Sequence, residues 1–179
     1  MTIHHHHPFL PSEGERSPLR RFRGRMPAPV TLWTAYAASR PVGWTVSSVL
    51  LADGPEPALV GLLDPDADLT EAITGEGEAG DGSKVAVSLL GWRHRGLPDA
   101  FAGLAPAPGG PFKLADWTDT DYGPVLADAA GWLGATVIES RTLGWSTLLT
   151  ARIDQLEISS DNGDLLGHLG GRYLPLALA

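Results

Sequence analysis

The sequence contains no cysteine, which excludes disulfides, thiolate metal sites and cysteine nucleophiles together. It has no apolar run near the ~20 residues that a membrane span needs, and no secretory signal pattern. Lysine occurs only at Lys84 and Lys113. From these absences we expect a soluble, cytoplasmic protein that contacts no membrane.

The charge is unevenly distributed along the chain. Residues 1–25 carry five arginines against Glu13 and Glu15, a balance of +3, so residues 26–179 account for −11 within the net charge of −8. Because an acidic surface repels a phosphate backbone, we expect no nucleic-acid partner.

The composition predicts two parts, a flexible basic and proline-rich arm over residues 1–25 and one domain over residues 26–179. The arm contains four consecutive histidines, His4 to His7, and the sequence leaves open whether they are native or a purification tag. As a native metal site they would be an unspecific surface chelator. We expect no metal centre.

Glycine and proline together make up about a fifth of the chain, a frequency typical of many short strands joined by turns. Patterning predicts short helices over residues 66–74, capped by Asp68, and 97–104, and a loop over 105–120. The predicted strands are residues 30–36, 42–51, 58–63, 84–90, 131–140, 145–158 and 165–174. These elements indicate a mostly β, antiparallel barrel of six or seven strands.

Two local features refine the last strands. The apolar phase inverts after Asp154, which predicts a bulge or bend between Asp154 and Leu156. Residues 161–164, with the sequence DNGD, predict a tight turn because Asn-Gly tolerates positive φ.

Two motif matches fail on closer inspection, and a hydrolase triad has no motif to support it. Residues 75–80, GEGEAG, match a dinucleotide-binding glycine loop, but a helix precedes them and a strand follows, the reverse of the required order. Asp64, Asp66 and Asp68 imitate a calcium loop that lacks its glycine and its final glutamate. A hydrolase triad would need His94 or His168, and no other feature of the sequence supports one.

The hydroxyl-rich segment Thr45, Val46, Ser47 and Ser48, directly after Trp44, stands out on a predicted interior strand. Buried hydroxyls without partners cost free energy, so branched apolar residues would be expected there. Hydroxyls and amides at a bend can hold a phosphate, and the indole can stack on a flat ring. The alternative is a half-exposed strand whose serines face water.

Four motifs in order give the chain a resemblance to the flavin reductase-like proteins, whose fold is an FMN-binding split barrel. Residues 41–48, PVGWTVSS, are similar to the family's Gly-Met-Thr-Val-Ser-Ser, and residues 84–90, KVAVSLL, to its Phe-Ala-Val-Asn-Val-Leu strand. Residues 100–103, AFAG, and 168–173, HLGGRY, resemble its Phe-Ala-Gly helix end and terminal Gly-Arg-Tyr signature. The resemblance implies a Greek-key-like split barrel with two or three short helices.

The resemblance also implies a function and a site. It implies a homodimer that binds FMN at the subunit interface and reduces it with NADH or NADPH, often for a partner monooxygenase. His168 would lie near the nicotinamide. The implied cofactor contacts are Trp44, Thr45, Val46, Ser47, Ser48, Leu63, Asp64, Ser88 and Leu89.

The sequence departs from the family pattern where the flavin phosphate would bind. A Ser-x-Thr pair, often with a basic residue between, is replaced by Ala67, Asp68 and Leu69, and the usual asparagine is Ser88. We therefore expect FAD or riboflavin as alternatives to FMN. The second hypothesis is a non-catalytic split-barrel protein that binds flavin or another cofactor.

Overall fold

The computed structural model describes residues 18–75, 82–160 and 163–177, and within them the chain is mostly antiparallel β structure. Its helices are α1 (Pro18–Arg23), α2 (Asp68–Thr74) and α3 (Leu97–Phe101), with 3-10 turns at Trp92–His94 and Pro111–Lys113. The strands are β1 (Ala28–Pro29), β2 (Thr31–Ala37), β3 (Arg40–Val46), β4 (Val49–Ala52), β5 (Ala58–Leu63), β6 (Lys84–Leu89), β7 (Trp117–Thr118), β8 (Val125–Leu126), β9 (Gly131–Leu143), β10 (Ser146–Ile158), β11 (Leu165–Leu169) and β12 (Arg172–Leu176).

Seven strands form the main sheet, in the order β3-β2-β6-β9-β10-β5-β4. The strands at its two edges, β3 and β4, follow one another in the chain and are separated only by Ser47 and Ser48. The sheet must therefore curl until its edges meet at this corner. The result is a barrel that is not closed, which confirms the expected mostly β, antiparallel fold of split-barrel type.

The barrel is filled by alternate residues of its strands, with Trp33, Leu59, Leu63 and Leu149 almost fully buried inside. A second cluster lies outside the barrel, where Leu32, Leu90 and Leu166 meet α3. There Phe101 packs edge-on against Phe112, with ring centroids 4.9 Å apart.

The strands β1, β11 and β12 form a second small sheet that is joined to the end of the barrel. The amide of Leu166 donates to the carbonyl of Leu90, and the amide of Val30 donates to the carbonyl of Leu166. These bonds fix the C-terminal hairpin at the end of β6.

The predicted bulge is present. The pairing of β9 with β10 shifts register between Ile153 and Gln155, so Asp154 is the inserted residue. Its carboxylate accepts hydrogen bonds from Thr136 and Arg152. Burial alone would raise the pKa of Asp154, but these bonds outweigh it and the pKa is lowered.

Several local predictions need correction. Residues 42–51 form two strands around the corner, and residues 165–174 are interrupted by a hairpin turn at Gly170 and Gly171, both at positive φ. Such a turn favours glycine, because no Cβ then meets the backbone. The loop over 105–120 contains a 3-10 turn and β7.

The predicted cap of α2 is also wrong. Ala67 occupies the N-cap position, and Asp68 is the first helical residue and pairs with Arg40. The histidines His4 to His7, residues 76–80 of the glycine motif and positions 161–162 of the predicted tight turn lie outside the described residues. Among the described helices, none has the length and apolar character to cross a bilayer.

Candidate functional site

The corner between β3 and β4 is joined to the end of β6 by one residue. Thr31 on β2 pairs with Val46 on one side and with Leu89 on the other. Two strand spacings separate Val46 from Leu89, about 10 Å. The buried Thr31 hydroxyl donates to the Val46 carbonyl at 2.6 Å and accepts from the Trp33 indole at 2.9 Å, so this row is held firmly.

The three hydroxyls of the predicted segment have different environments. Thr45 donates to the carbonyl of Pro98 and Ser48 to that of Leu62, both at 2.8 Å, while Ser47 is exposed. A hydroxyl has one proton to donate. The Thr45 and Ser48 protons are used by these two carbonyls. Ser47 is therefore the hydroxyl of this segment that can donate to a ligand at the corner.

Three other predicted contacts are engaged within the fold. Leu63 and Ser88 are almost fully buried, and the Ser88 hydroxyl accepts from the amide of Leu126 at 3.3 Å. Trp44 is half-buried and packs against the barrel core. Leu89, by contrast, is 39% exposed at the end of the barrel. The roles of all four as cofactor contacts stay predictions.

The turn after β5 is acidic and already capped by its own side chain. The Asp64 carboxylate accepts from the amide of Asp66 at 3.0 Å, and the Asp64 carbonyl accepts from the Thr70 hydroxyl at 2.7 Å. Asp68 forms an exposed ion pair with Arg40 at 3.3 Å. An anion at this helix start would therefore compete with a carboxylate that is already there.

His168 lies on β11, opposite Ala28 of β1 and Tyr173 of β12. Its ring is 5.6 Å from that of Tyr173, whose hydroxyl donates to Asp99 of α3 at 2.6 Å. Burial is the larger cause of a raised pKa for Tyr173, and this hydrogen bond raises it further. Burial also lowers the pKa of His168; the charge of Asp99 opposes this shift, and that of Arg23 adds to it.

Sequence reasoning missed Asp99 and Arg23 as neighbours of His168. Asp99 is 74 residues from its partner Tyr173 and stands in an ordinary short helix, so no local pattern marks it. Arg23 lies in the segment that the composition predicts to be an arm. The one available signal was the concentration of arginines there.

The second histidine of the domain, His94, is held by hydrogen bonds within the fold. His94 is buried, accepts from the amide of Gly91 at Nδ1 and therefore carries its proton on Nε2, which lies 3.0 Å from Asp128. Its two partners are a backbone amide and a carboxylate, so this geometry gives no support to a serine triad.

A cleft of about 520 Å³ lies beside the end of β6, between the β7–β8 ribbon and β9 and β10; its lining residue Gly131 pairs with Leu89. Trp132 donates to Glu157 at its wall. None of the predicted site residues lines this cleft. The corner and the C-terminal hairpin, which carry the predicted residues, stay the candidate site as a prediction.

The fold agrees with a comparison to protein families. The family model described as flavin reductase like domain matches residues 23–177. The chain belongs to this family. The match includes the corner, the row through Thr31 and the hairpin that carries His168.

Solved structures of flavin reductases have the same fold. A flavin reductase domain protein from Arthrobacter sp. FB24 is 21% identical, with a TM-score of 0.76 over 90% of this chain and 95% of that one. The NADH:FAD oxidoreductase of Streptomyces globisporus C-1027, in complex with NAD and FAD fragments, is 22% identical, with a TM-score of 0.76 over 89% and 91%.

The nitrilotriacetate monooxygenase component B of Mycobacterium thermoresistibile is 19% identical, with a TM-score of 0.77 over 88% and 84%. No curated protein matches the chain. At these identities the structures establish a shared fold.

Proposed function

We propose that this protein is an NAD(P)H-dependent flavin reductase, which reduces FMN, FAD or riboflavin with NADH or NADPH. The observation that carries the proposal is the family match over residues 23–177, which contains every predicted contact at the corner and the hairpin.

The corner offers a flavin both an apolar and a polar contact, whereas the turn after β5 disfavours its phosphate. The exposed side chain of Leu89 offers an apolar contact, and the exposed Ser47 hydroxyl offers a polar one at the edge of the same site. The turn after β5, by contrast, presents Asp64, Asp66 and Asp68. Like charges at that turn disfavour a phosphate, so FMN, FAD and riboflavin must all be compared.

When bound, flavin would supply the hydride-accepting chemistry. The chain would hold the ring at the corner and the nicotinamide near His168. Because burial lowers the pKa of His168, protonation of its imidazole is disfavoured, which reduces repulsion of the positive charge of an oxidised nicotinamide. Tyr173, anchored to Asp99, packs against the ring of His168 and so limits its movement.

We further propose a homodimer. Leu50 and Leu51 on the edge strand β4 are 72% and 63% exposed, and Ile158 at the end of β10 is 76% exposed. Exposed apolar side chains beside an open strand edge are typical of an interface. Light scattering at micromolar concentration should give twice the mass of the chain, and a monomer in the presence of flavin would contradict this assembly.

A partner that consumes reduced flavin is consistent with the names of similar structures. They include a nitrilotriacetate monooxygenase component B and the flavin reductase component of a two-component tryptophan halogenase. We propose a monooxygenase partner for this chain on that basis, and a cytoplasmic location where reduced nicotinamide is available.

The test is oxidation of NADH and NADPH, followed at 340 nm, with FMN, FAD or riboflavin added in turn. Turnover that requires added flavin is expected. Thermal melting with the same three flavins separates the alternatives: a rise in Tm without turnover would indicate the non-catalytic flavin-binding protein. Neither a Tm shift nor turnover with any flavin would contradict the proposal.

A further inference from the structure

The short helix α1 concentrates positive charge on an acidic protein. Arg20, Arg21, Arg23 and Arg25 lie within six residues, and all four are exposed. Helix α1 buries none of its side chains. Basic residues in a last helical turn do stabilise the helix, but this effect amounts to a fraction of a kcal/mol at an exposed site. Neither packing nor helix stability explains why so many arginines stand here.

The backbone fixes this basic segment beside the candidate nicotinamide site. The amide of Gly170, in the hairpin turn, donates to the carbonyl of Gly24 at 2.8 Å. Four residues further on, Ala28 pairs directly with His168. The charge of Arg23 also reaches the imidazole, since it contributes to lowering the pKa of His168. The arginines are thus tethered to the hairpin that carries His168.

A dinucleotide brings phosphate charge that the acidic turn after β5 does not match. The turn after β5 carries Asp64, Asp66 and Asp68. The amide of Asp66 already donates to the Asp64 carboxylate. Phosphates are bound best by guanidinium groups, whose planar fork presents two parallel N–H donors. Arg23, whose charge reaches His168, and the neighbouring arginines of the tethered segment can supply such groups.

We propose that Arg21, Arg23 and Arg25 bind the pyrophosphate of the nicotinamide dinucleotide whose ring lies near His168, and in NADPH also its 2′-phosphate. The proposal rests on the proposed function for the position of the nicotinamide. It assigns the basic segment, first interpreted as a flexible arm, to binding of the hydride donor.

Binding of ADP-ribose, measured by isothermal titration calorimetry, tests the site without any redox chemistry. Replacing a charged hydrogen-bond donor costs about tenfold in affinity, so Arg23→Gln should weaken ADP-ribose about tenfold and the triple Gln variant further. Arg23→Lys should recover part of the loss. Binding should weaken with added salt, because screening acts within ~8 Å at physiological ionic strength.

Arg152→Gln is the matched control, since it also removes one exposed guanidinium. In the strand register, Arg152 lies opposite Thr136, and Thr136 lies opposite Lys84 at the start of β6. The hairpin is attached at the other end of β6, beyond Leu89. This variant should bind ADP-ribose as the unmodified protein does.

Steady-state kinetics connect the site to the donor. N-benzyl-1,4-dihydronicotinamide has no phosphate, so the Arg23→Gln variant should show a lower ratio of kcat/KM for NADH to kcat/KM for this donor. Unchanged ADP-ribose affinity in the triple variant would overturn the proposal. The proposal also fails if the variants bind FAD more weakly while their ADP-ribose affinity is unchanged. If the protein reduces no flavin yet loses ADP-ribose affinity in these variants, the phosphate site stands and the proposed reductase activity fails.

Discussion

The indole of Trp33 on β2 crosses the barrel and lies against the α-carbon of Gly61 on β5. A Cβ atom built on Gly61 would lie 2.5 Å from Cη2 of Trp33, well inside van der Waals contact. Trp33 is fully buried, and its indole nitrogen donates to Thr31. One aromatic ring thus fills the barrel interior only because the opposite strand has no side chain at that point.

Gly61→Ala should therefore destabilise the protein, although alanine normally strengthens a strand. Overpacking of this kind costs about 1–3 kcal/mol, which urea unfolding would measure. Gly96→Ala is the control, because a Cβ there meets nothing within 4 Å and the backbone is already in the helical region. Equal stability of both variants would show that Trp33 can shift without cost.

The joint variant Ser47→Ala with Ser48→Ala should weaken FMN more than riboflavin, since the hydroxyls are predicted to serve the phosphate. Hydrogen bonds to a charged group contribute about 1.5–3 kcal/mol each. Because Ser48 donates to Leu62, we expect Ser47→Ala alone to cause most of the loss and Ser48→Ala mainly to lower Tm. Equal weakening of both ligands, by fluorescence titration, would remove the phosphate from this corner.

Asp68→Arg should tighten FMN and leave riboflavin unchanged, because it replaces a negative charge near the predicted phosphate with a positive one. FMN affinity of the unmodified protein should rise with salt for the same reason. Since Asp68 pairs with Arg40, Arg40→Gln should have the opposite effect on FMN. FMN binding that weakens with salt and ignores both substitutions would mean that the phosphate is held elsewhere.

All three tyrosines should ionise later in the folded protein than in urea. Burial raises the pKa of each, to about 12 for Tyr36 and in the same direction for Tyr122 and Tyr173. The unfolded chain loses phenolic protons near pH 10, so the stability linked to these groups is present below pH 10 and lost as the pH rises toward 12. Tyrosinate absorbance at 295 nm against pH should show a midpoint above 10, and a normal midpoint would contradict the hydrogen bonds to carboxylates.

The pKa of His168 should respond in opposite directions to its two charged neighbours. Asp99→Asn should lower it further, and Arg23→Gln should raise it. NMR titration of the imidazole resonance, assigned with His168→Gln, would measure both shifts. Because the folded pKa lies below the unfolded value of 6.5, this group makes the protein less stable as the pH falls below about 6.5.

The local elements were predictable where one face of a strand is buried. β-rich composition located β5 at residues 58–63 as it is found, and the change of apolar phase identified the bulge at Asp154. Alternation could not show that residues 42–51 turn a corner, because Ser47 and Ser48 suit an exposed strand equally well. Nor did it separate β11 from β12, although the pair Gly170 and Gly171 between them is a turn signal.

The site was harder to predict than the fold, because its contacts join distant parts of the chain. The hydroxyl segment was identified from composition, yet whether Thr45 or Ser48 is free depends on the carbonyls of Pro98 and Leu62. The relation of Asp99 to His168 likewise depends on the docking of α3 against β12. Residue type indicated the segment, and only the three-dimensional structure distinguishes the available donor.

The position of β3 and β4 at opposite edges of one sheet has a consequence for the order of folding. The hairpins β2–β3 and β9–β10 close over a few residues and can form within microseconds. The pairing of β5 with β10 joins residues about ninety positions apart, as in Leu63 with Thr147, and must wait for a large loop to close. The corner at Ser47 therefore takes its final shape late, and we expect refolding on the millisecond-to-second timescale, with flavin affinity recovered in the last phase.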